Sequence, residues 1–140
     1  FLGSQHFRIS NDPLLPAGTA TGGFSPDLGP QAASPSSVSV DVAISATGGA
    51  DYDVVPQAPS QASLTARVKF SWLGDILVLD DTGGGLQYTD TGVDWIVGDY
   101  ANLTIDIDPT ADTIDYYYDG SLIYSSVAAL FAVTQLEQVA

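Results

Sequence analysis

"YANLTIDIDPTADTIDYYYDGSLIYS", residues 100–125, decides the fold. Leu103, Ile105 and Ile107 fall at every second position, with Asn102, Thr104, Asp106 and Asp108 between them. Successive side chains of a strand point to opposite sides, so a period of two predicts a strand with one face in the core and one in water. Asp108-Pro109 opens a tight connection that ends at Asp112, and the alternation then resumes. Ile114, Tyr116 and Tyr118 share one face, and Asp115 and Tyr117 share the other. Asp119-Gly120 suits a two-residue hairpin with positive φ at both positions.

The same test reads the rest of the chain. In "SVSVDVAIS" Val38, Val40, Val42 and Ile44 oppose Ser37, Ser39, Asp41 and Ala43. In "SLTARVKFSW" Leu64, Ala66, Val68, Phe70 and Trp72 oppose Thr65, Arg67, Lys69 and Ser71. Weaker strands are predicted over 5–10, 76–79, 113–118, 122–125 and 135–139. "ILVL" is apolar on both faces and belongs centrally in a sheet. Only 126–134, "SVAALFAVT", has room for a helical turn or two. Residues 11–35 and 47–60 carry no core pattern and read as loops, and "DDTGGG" at 80–85 reads as a hairpin tip. Strands at this spacing, without crossover helices, predict an all-β fold: one antiparallel β-sandwich spanning 1–140.

Composition bounds the function. The net charge is -14, and 16 of the 17 acids are Asp, Glu137 being the one Glu. Asp favours turns and caps over helices. Arg8, Arg67 and Lys69 are the three cations, too few to neutralise phosphates, so nucleic acid and anionic membrane surfaces are excluded as partners. No apolar run approaches the ~20 residues of a membrane span. There is no Cys and no Met, and "FLGSQHF" reads as the start of a piece of a longer product. Small residues, Asp and Thr dominate the polar positions, which suggests a secreted or cell-surface location.

The segment 100–125 resembles the most recognisable part of laminin-G-like, concanavalin A-like jelly rolls. The matching residues are Tyr100, Leu103, Ile105, Ile107, Ile114, Tyr116, Tyr118, Asp119 and Gly120. "QHFRIS" is similar to an early strand of such domains, and "SVSVDVAIS" and "ARVKFSW" to the strands that follow. The resemblance implies binding to a glycan or to an extracellular or cell-surface protein, without a required cofactor and sometimes with Ca²⁺. Relatives that hydrolyse glycosides carry Glu-x-Asp-x-x-Glu on one strand. Here the one Glu stands in "QLEQVA", so that catalytic pattern is absent, and the implied module is lectin-like and non-catalytic. The resemblance also implies flanking strands beyond those seen here. Incomplete edges would invite a strand from another chain, so self-assembly into a fibre, sheath or surface layer is the alternative.

Candidate site residues follow from the faces. Tyr117 and Asp115 point outward together, an apolar ring beside a carboxylate that accepts hydroxyl hydrogens, which suits a sugar. Trp95, Tyr88, Tyr100 and Tyr52 are expected to extend that platform. Asp106, Asp108 and Asp112 are the candidate Ca²⁺ ligands, since hard cations take oxygens at about 2.3–2.6 Å; the competing role is turn capping. Arg67 and Lys69 are expected to pair across strands with the Asp41 face. "NLT" at 102–104 matches a glycosylation sequon but falls within a strand, where it reads as a chance match. His6, the one His, reads as structural or surface, with nothing to support a catalytic triad.

Overall fold

The structure, a computed structural model, describes residues 22–126 and 136–140. The strand expected over 5–10, His6, Arg8 and nearly all of 126–134 lie outside those residues.

Strands β1 (Ser36–Ala43), β8 (Tyr100–Asp108), β9 (Thr113–Tyr118) and β10 (Ser121–Ser126) form one antiparallel sheet in the order β1-β8-β9-β10. Its register aligns the apolar positions into rows. Val38 pairs with Ile105 and Ile105 with Tyr116, while Val40 pairs with Leu103 and Leu103 with Tyr118. Leu103, Ile105, Ile107, Ile114, Tyr116 and Tyr118 are all buried, as the period of two predicts.

The second sheet has the order β2-β5-β6-β7, from β2 (Tyr52–Val54), β5 (Val68–Phe70), β6 (Asp75–Asp81) and β7 (Leu86–Asp94). Val68, Phe70, Ile76 and Val78 pack from it into the same core cluster as the rows of the first sheet. The Phe70 and Tyr118 rings meet across the sandwich with centroids 6.0 Å apart. β6 lies inside its sheet as expected; Ile76 and Val78 are buried, while Leu77 and Leu79 are half-buried on the outer side.

A small third sheet joins β11 (Gln138–Val139), β3 (Pro56–Ala58) and β4 (Ser63–Leu64), around a 3-10 turn at Pro59–Gln61. Glu137, 1% exposed, holds that turn: one carboxylate oxygen accepts the Ser60 backbone N–H at 2.9 Å and the other accepts the Ser60 hydroxyl.

Three expectations change. The run 63–72 is not one strand: the amides of Thr65 and Ala66 both turn to the Pro56 carbonyl, at 2.9 and 3.2 Å, which breaks it into β4 and β5. Thr65, expected outward, is therefore buried, and Trp72, expected inward, lies beyond the end of β5 and is half exposed. The stretch 47–60 is not all loop, since it contains β2 and β3.

Candidate functional site

The outer face of the sheet β1-β8-β9-β10 is mostly polar, with Leu122 of β10, 57% exposed, standing beside Tyr117. Alternation sends Ser37, Ser39 and Asp41 outward from β1, Asn102, Thr104 and Asp106 from β8, and Asp115 and Tyr117 from β9. Register sets Ser39, Thr104 and Tyr117 in one row and Ser37, Asp106 and Asp115 in the next. The Asn102 amide donates to Ser39 Oγ at 3.0 Å and to Asp41 Oδ1 at 2.9 Å, and Thr104 Oγ1 donates to Asn102 Oδ1 at 2.8 Å. Asp115 accepts the Ser125 hydroxyl. Beside Asp106 and Asp115 lies an open depression of about 450 Å³, lined also by Ser36, Ser37, Asp108 and Thr113. The face thus offers two aromatic rings, the half-buried Tyr117 and the more exposed Tyr100, with a fixed amide, hydroxyls and carboxylate acceptors on a rigid sheet.

Three of the five expected ligand-binding residues share this face. Tyr117 and Asp115 lie side by side in successive rows, and Tyr100, 47% exposed, stands on the same side of β8. Tyr100 lies four positions along the strand from Thr104, roughly 13 Å at strand rise.

The other two lie elsewhere. Trp95 is 4% exposed and donates its indole N–H to the Ser71 carbonyl at 2.9 Å, so it is a core residue with no open ring face to stack on. Tyr88 belongs to the outer face of the opposite sheet. There Lys69 Nζ lies 4.3 Å and the Arg67 guanidinium 5.7 Å from its ring centroid, close enough for cation–π attraction. Tyr52, on the same sheet, is half-buried and packs against the core.

Arg67 and Lys69 do not reach Asp41, because β1 is in the other sheet. Arg67 grips Asp53 with two nitrogens, at 3.1 and 2.8 Å, and Lys69 holds Asp51 at 3.2 Å. The hydrogen bond to Asp53 raises the Arg67 pKa above its usual value, and burial raises that of Tyr88. The Asp51 carboxylate is held below the ordinary carboxylate value, first by the Trp72 backbone N–H it accepts at 2.9 Å.

The expected Ca²⁺ set is not assembled. Asp108 Oδ1 accepts the backbone N–H groups of Thr110 and Ala111, at 2.8 and 3.1 Å, so it caps its turn. Asp112 takes a left-handed backbone, φ 55°, past that turn. Among the described residues no three metal-capable side chains converge.

The hairpin tip expected over 80–85 begins later, since β6 runs on through Asp80 and Asp81, and Asp80 is not a tip residue. It is 6% exposed and faces inward between the sheets, accepting the Tyr124 hydroxyl at 2.7 Å, the Ser126 hydroxyl at 2.8 Å and the Asp81 N–H at 2.9 Å. The signal was available: Ile76, Val78 and Asp80 share one register.

No protein-family model matches the chain, and no curated protein matches it. Among solved structures, a chain described as a sialidase shares the fold with a TM-score of 0.64 at 13% identity. The likeness covers 76% of this chain and 9% of that one. The fold is therefore an all-β sandwich found as a small part of a much longer protein.

Proposed function

We propose that the chain is a non-catalytic carbohydrate-binding module of the lectin-like, concanavalin A-like kind, secreted or at a cell surface, that takes a glycan on the outer face of β1-β8-β9-β10. The observation that carries this reading is Tyr117 in register with Thr104 and Ser39 and flanked by Asp115. An apolar ring face covers the C–H side of a sugar, while neighbouring carboxylate, amide and hydroxyl groups exchange hydrogen bonds with its hydroxyls. The donors and acceptors sit on paired strands, so little side-chain freedom is lost on binding. The fold likeness to part of a sialidase, a carbohydrate-acting protein, supports the same reading.

The test is a glycan array followed by NMR titration of isotope-labelled protein with any oligosaccharide that scores, with and without Ca²⁺. Tyr117→Ala should weaken binding at least ~10-fold, about 1.4 kcal/mol, while the melting temperature stays within a degree or two. An array without hits in either condition, or binding indifferent to Tyr117→Ala, overturns the reading.

A further inference from the structure

One end of the sandwich carries apolar side chains that serve no internal purpose. The turn between β5 and β6 exposes Trp72 (50%) and Leu73 (64%), and the connection between β7 and β8 exposes Ile96 (42%) and Val97 (54%). Isolated exposed apolar residues are ordinary; four large ones on two adjoining loops are not.

These loops are pinned. Trp95 ties them together: its backbone N–H donates to the Gly74 carbonyl and its indole N–H to the Ser71 carbonyl, both at 2.9 Å. The Trp72 carbonyl accepts the Gly48 N–H at 2.7 Å, and the Trp72 N–H is held by Asp51. The Ile96 N–H donates to the Tyr118 hydroxyl at 3.0 Å, the Gly98 N–H donates to the Ile44 carbonyl at 2.8 Å, and Val97 bridges to Ile44. The fold therefore holds these side chains out in water in a set arrangement, which is the preorganised form of a contact surface.

Charge selects the partner. Asp75 and Asp94 are direct register partners at this end, and Asp99 is exposed in the same connection. Like charges directly opposite on paired strands repel, and Lys69, the nearest cation of the second sheet, is engaged by Asp51. A second copy would bring the same carboxylates and a further charge of -14, and an anionic membrane would be repelled in the same way. We propose that this end docks a second protein whose contact patch has an apolar centre ringed by Lys and Arg. Such a patch would cover Trp72, Leu73, Ile96 and Val97 and set cations against Asp75, Asp94 and Asp99. This surface adjoins the proposed glycan face, since Asp99 accepts the backbone N–H of Tyr100 at 2.8 Å, and its test stands apart because it alters Trp72, Val97, Asp75 and Asp94 and leaves Tyr117 untouched.

A phage-displayed library of random 12-residue peptides is the probe, selected on the full chain and counter-selected on a Trp72→Ser/Val97→Ser variant. Both side chains are exposed, and an unchanged circular-dichroism spectrum and melting temperature qualify the variant. Expected are peptides that combine aliphatic or aromatic residues with Lys or Arg. They should lose at least about 10-fold in affinity on the double variant, on Asp75→Asn/Asp94→Asn, and when NaCl rises from about 50 to about 500 mM, a range over which exposed charges become screened. Selection that yields no peptide dependent on this end, or only peptides insensitive to salt and to the Asp substitutions, overturns the proposal. So does a concentration-dependent dimer in sedimentation velocity that the Trp72→Ser/Val97→Ser variant abolishes, which would make the occupant a second copy. Cosedimentation with phosphatidylcholine vesicles that the same variant abolishes would make it a neutral lipid surface and also overturns it.

Discussion

At the scale of the residue, Asp80 sits where its strand would bury another aliphatic, two positions beyond Val78. A carboxylate there persists because three donors meet it: the hydroxyls of Tyr124 and Ser126 and the Asp81 N–H. Tyr124 and Ser126 come from β10 in the facing sheet, so the contact also links the two layers. Removing one donor leaves a buried carboxylate oxygen short of a partner, which costs about 1–3 kcal/mol. Tyr124→Phe should therefore lower urea-unfolding stability by that amount. Tyr117→Phe, which removes a hydroxyl from the wet side of the same sheet, should stay within about 0.5 kcal/mol. Equal losses for the two variants would show that the Asp80 contact carries no special weight. The Arg67 and Lys69 pairs teach the complementary lesson. Their outward direction was readable from alternation, but their partners were not. Choosing Asp53 and Asp51 over Asp41 requires knowing that β2, not β1, lies beside β5, and that information is in the strand order.

At the scale of the element, strands with a repeating buried face were legible and the others were not: β7, nine residues long, was not expected, because "LQYTDTGVD" buries no residue fully and so carries no apolar period. Strands β1, β8 and β9 have six to nine residues, enough for a period of two to repeat, and the structure buries the faces they predict. Strands β2, β3 and β5 have three residues each, too few for any period to register, so 47–60 read as loop and 63–72 as one uninterrupted strand. The Asp119-Gly120 turn was legible because its chemistry is local. Both residues take positive φ, 48° and 77°, and β9 and β10 flank them directly. A Cβ added at Gly120 would meet nothing within 4 Å, so Gly120→Ala tests backbone strain alone. It should cost about 1–2 kcal/mol, the ordinary penalty of a left-handed backbone for a residue with a side chain. Gly22→Ala, also without contacts but outside the left-handed region, is the control and should be near neutral. A Gly120→Ala protein as stable as the parent in urea would mean that the hairpin does not depend on this turn type.

At the scale of the whole molecule, the sandwich and the shared face of Tyr117 and Asp115 were within reach of the sequence; Tyr88 was misplaced because a ring's layer depends on the sheet that owns it, and Trp95 because it lies in the β7–β8 connection, whose path alternation does not read. The tyrosines also set how the molecule answers to pH. Burial raises the pKa of Tyr116, Tyr118 and Tyr88, and the hydrogen bond to Asp80 is the first cause for Tyr124. A group whose folded pKa lies above its free value of 10.0 keeps its proton in the fold after the unfolded chain has released it. Stability is then fully present below pH 10 and falls as pH rises above it. Each ionised phenol also adds to a charge already at -14, which pushes the same way. The urea midpoint should be level from about pH 7 to 9 and drop beyond about pH 10. Ultraviolet titration should show the buried phenols ionising only as the near-ultraviolet circular dichroism collapses. Tyr116 allows the cause to be isolated, because its hydroxyl is buried without a hydrogen-bond partner. Tyr116→Phe removes an unsatisfied polar group and a proton that burial holds, so it should be neutral or stabilising at pH 7. It should also shallow the alkaline loss. If the midpoint stays level through pH 11, or Tyr116→Phe leaves the alkaline slope unchanged, burial of these phenols is not what limits the fold at high pH.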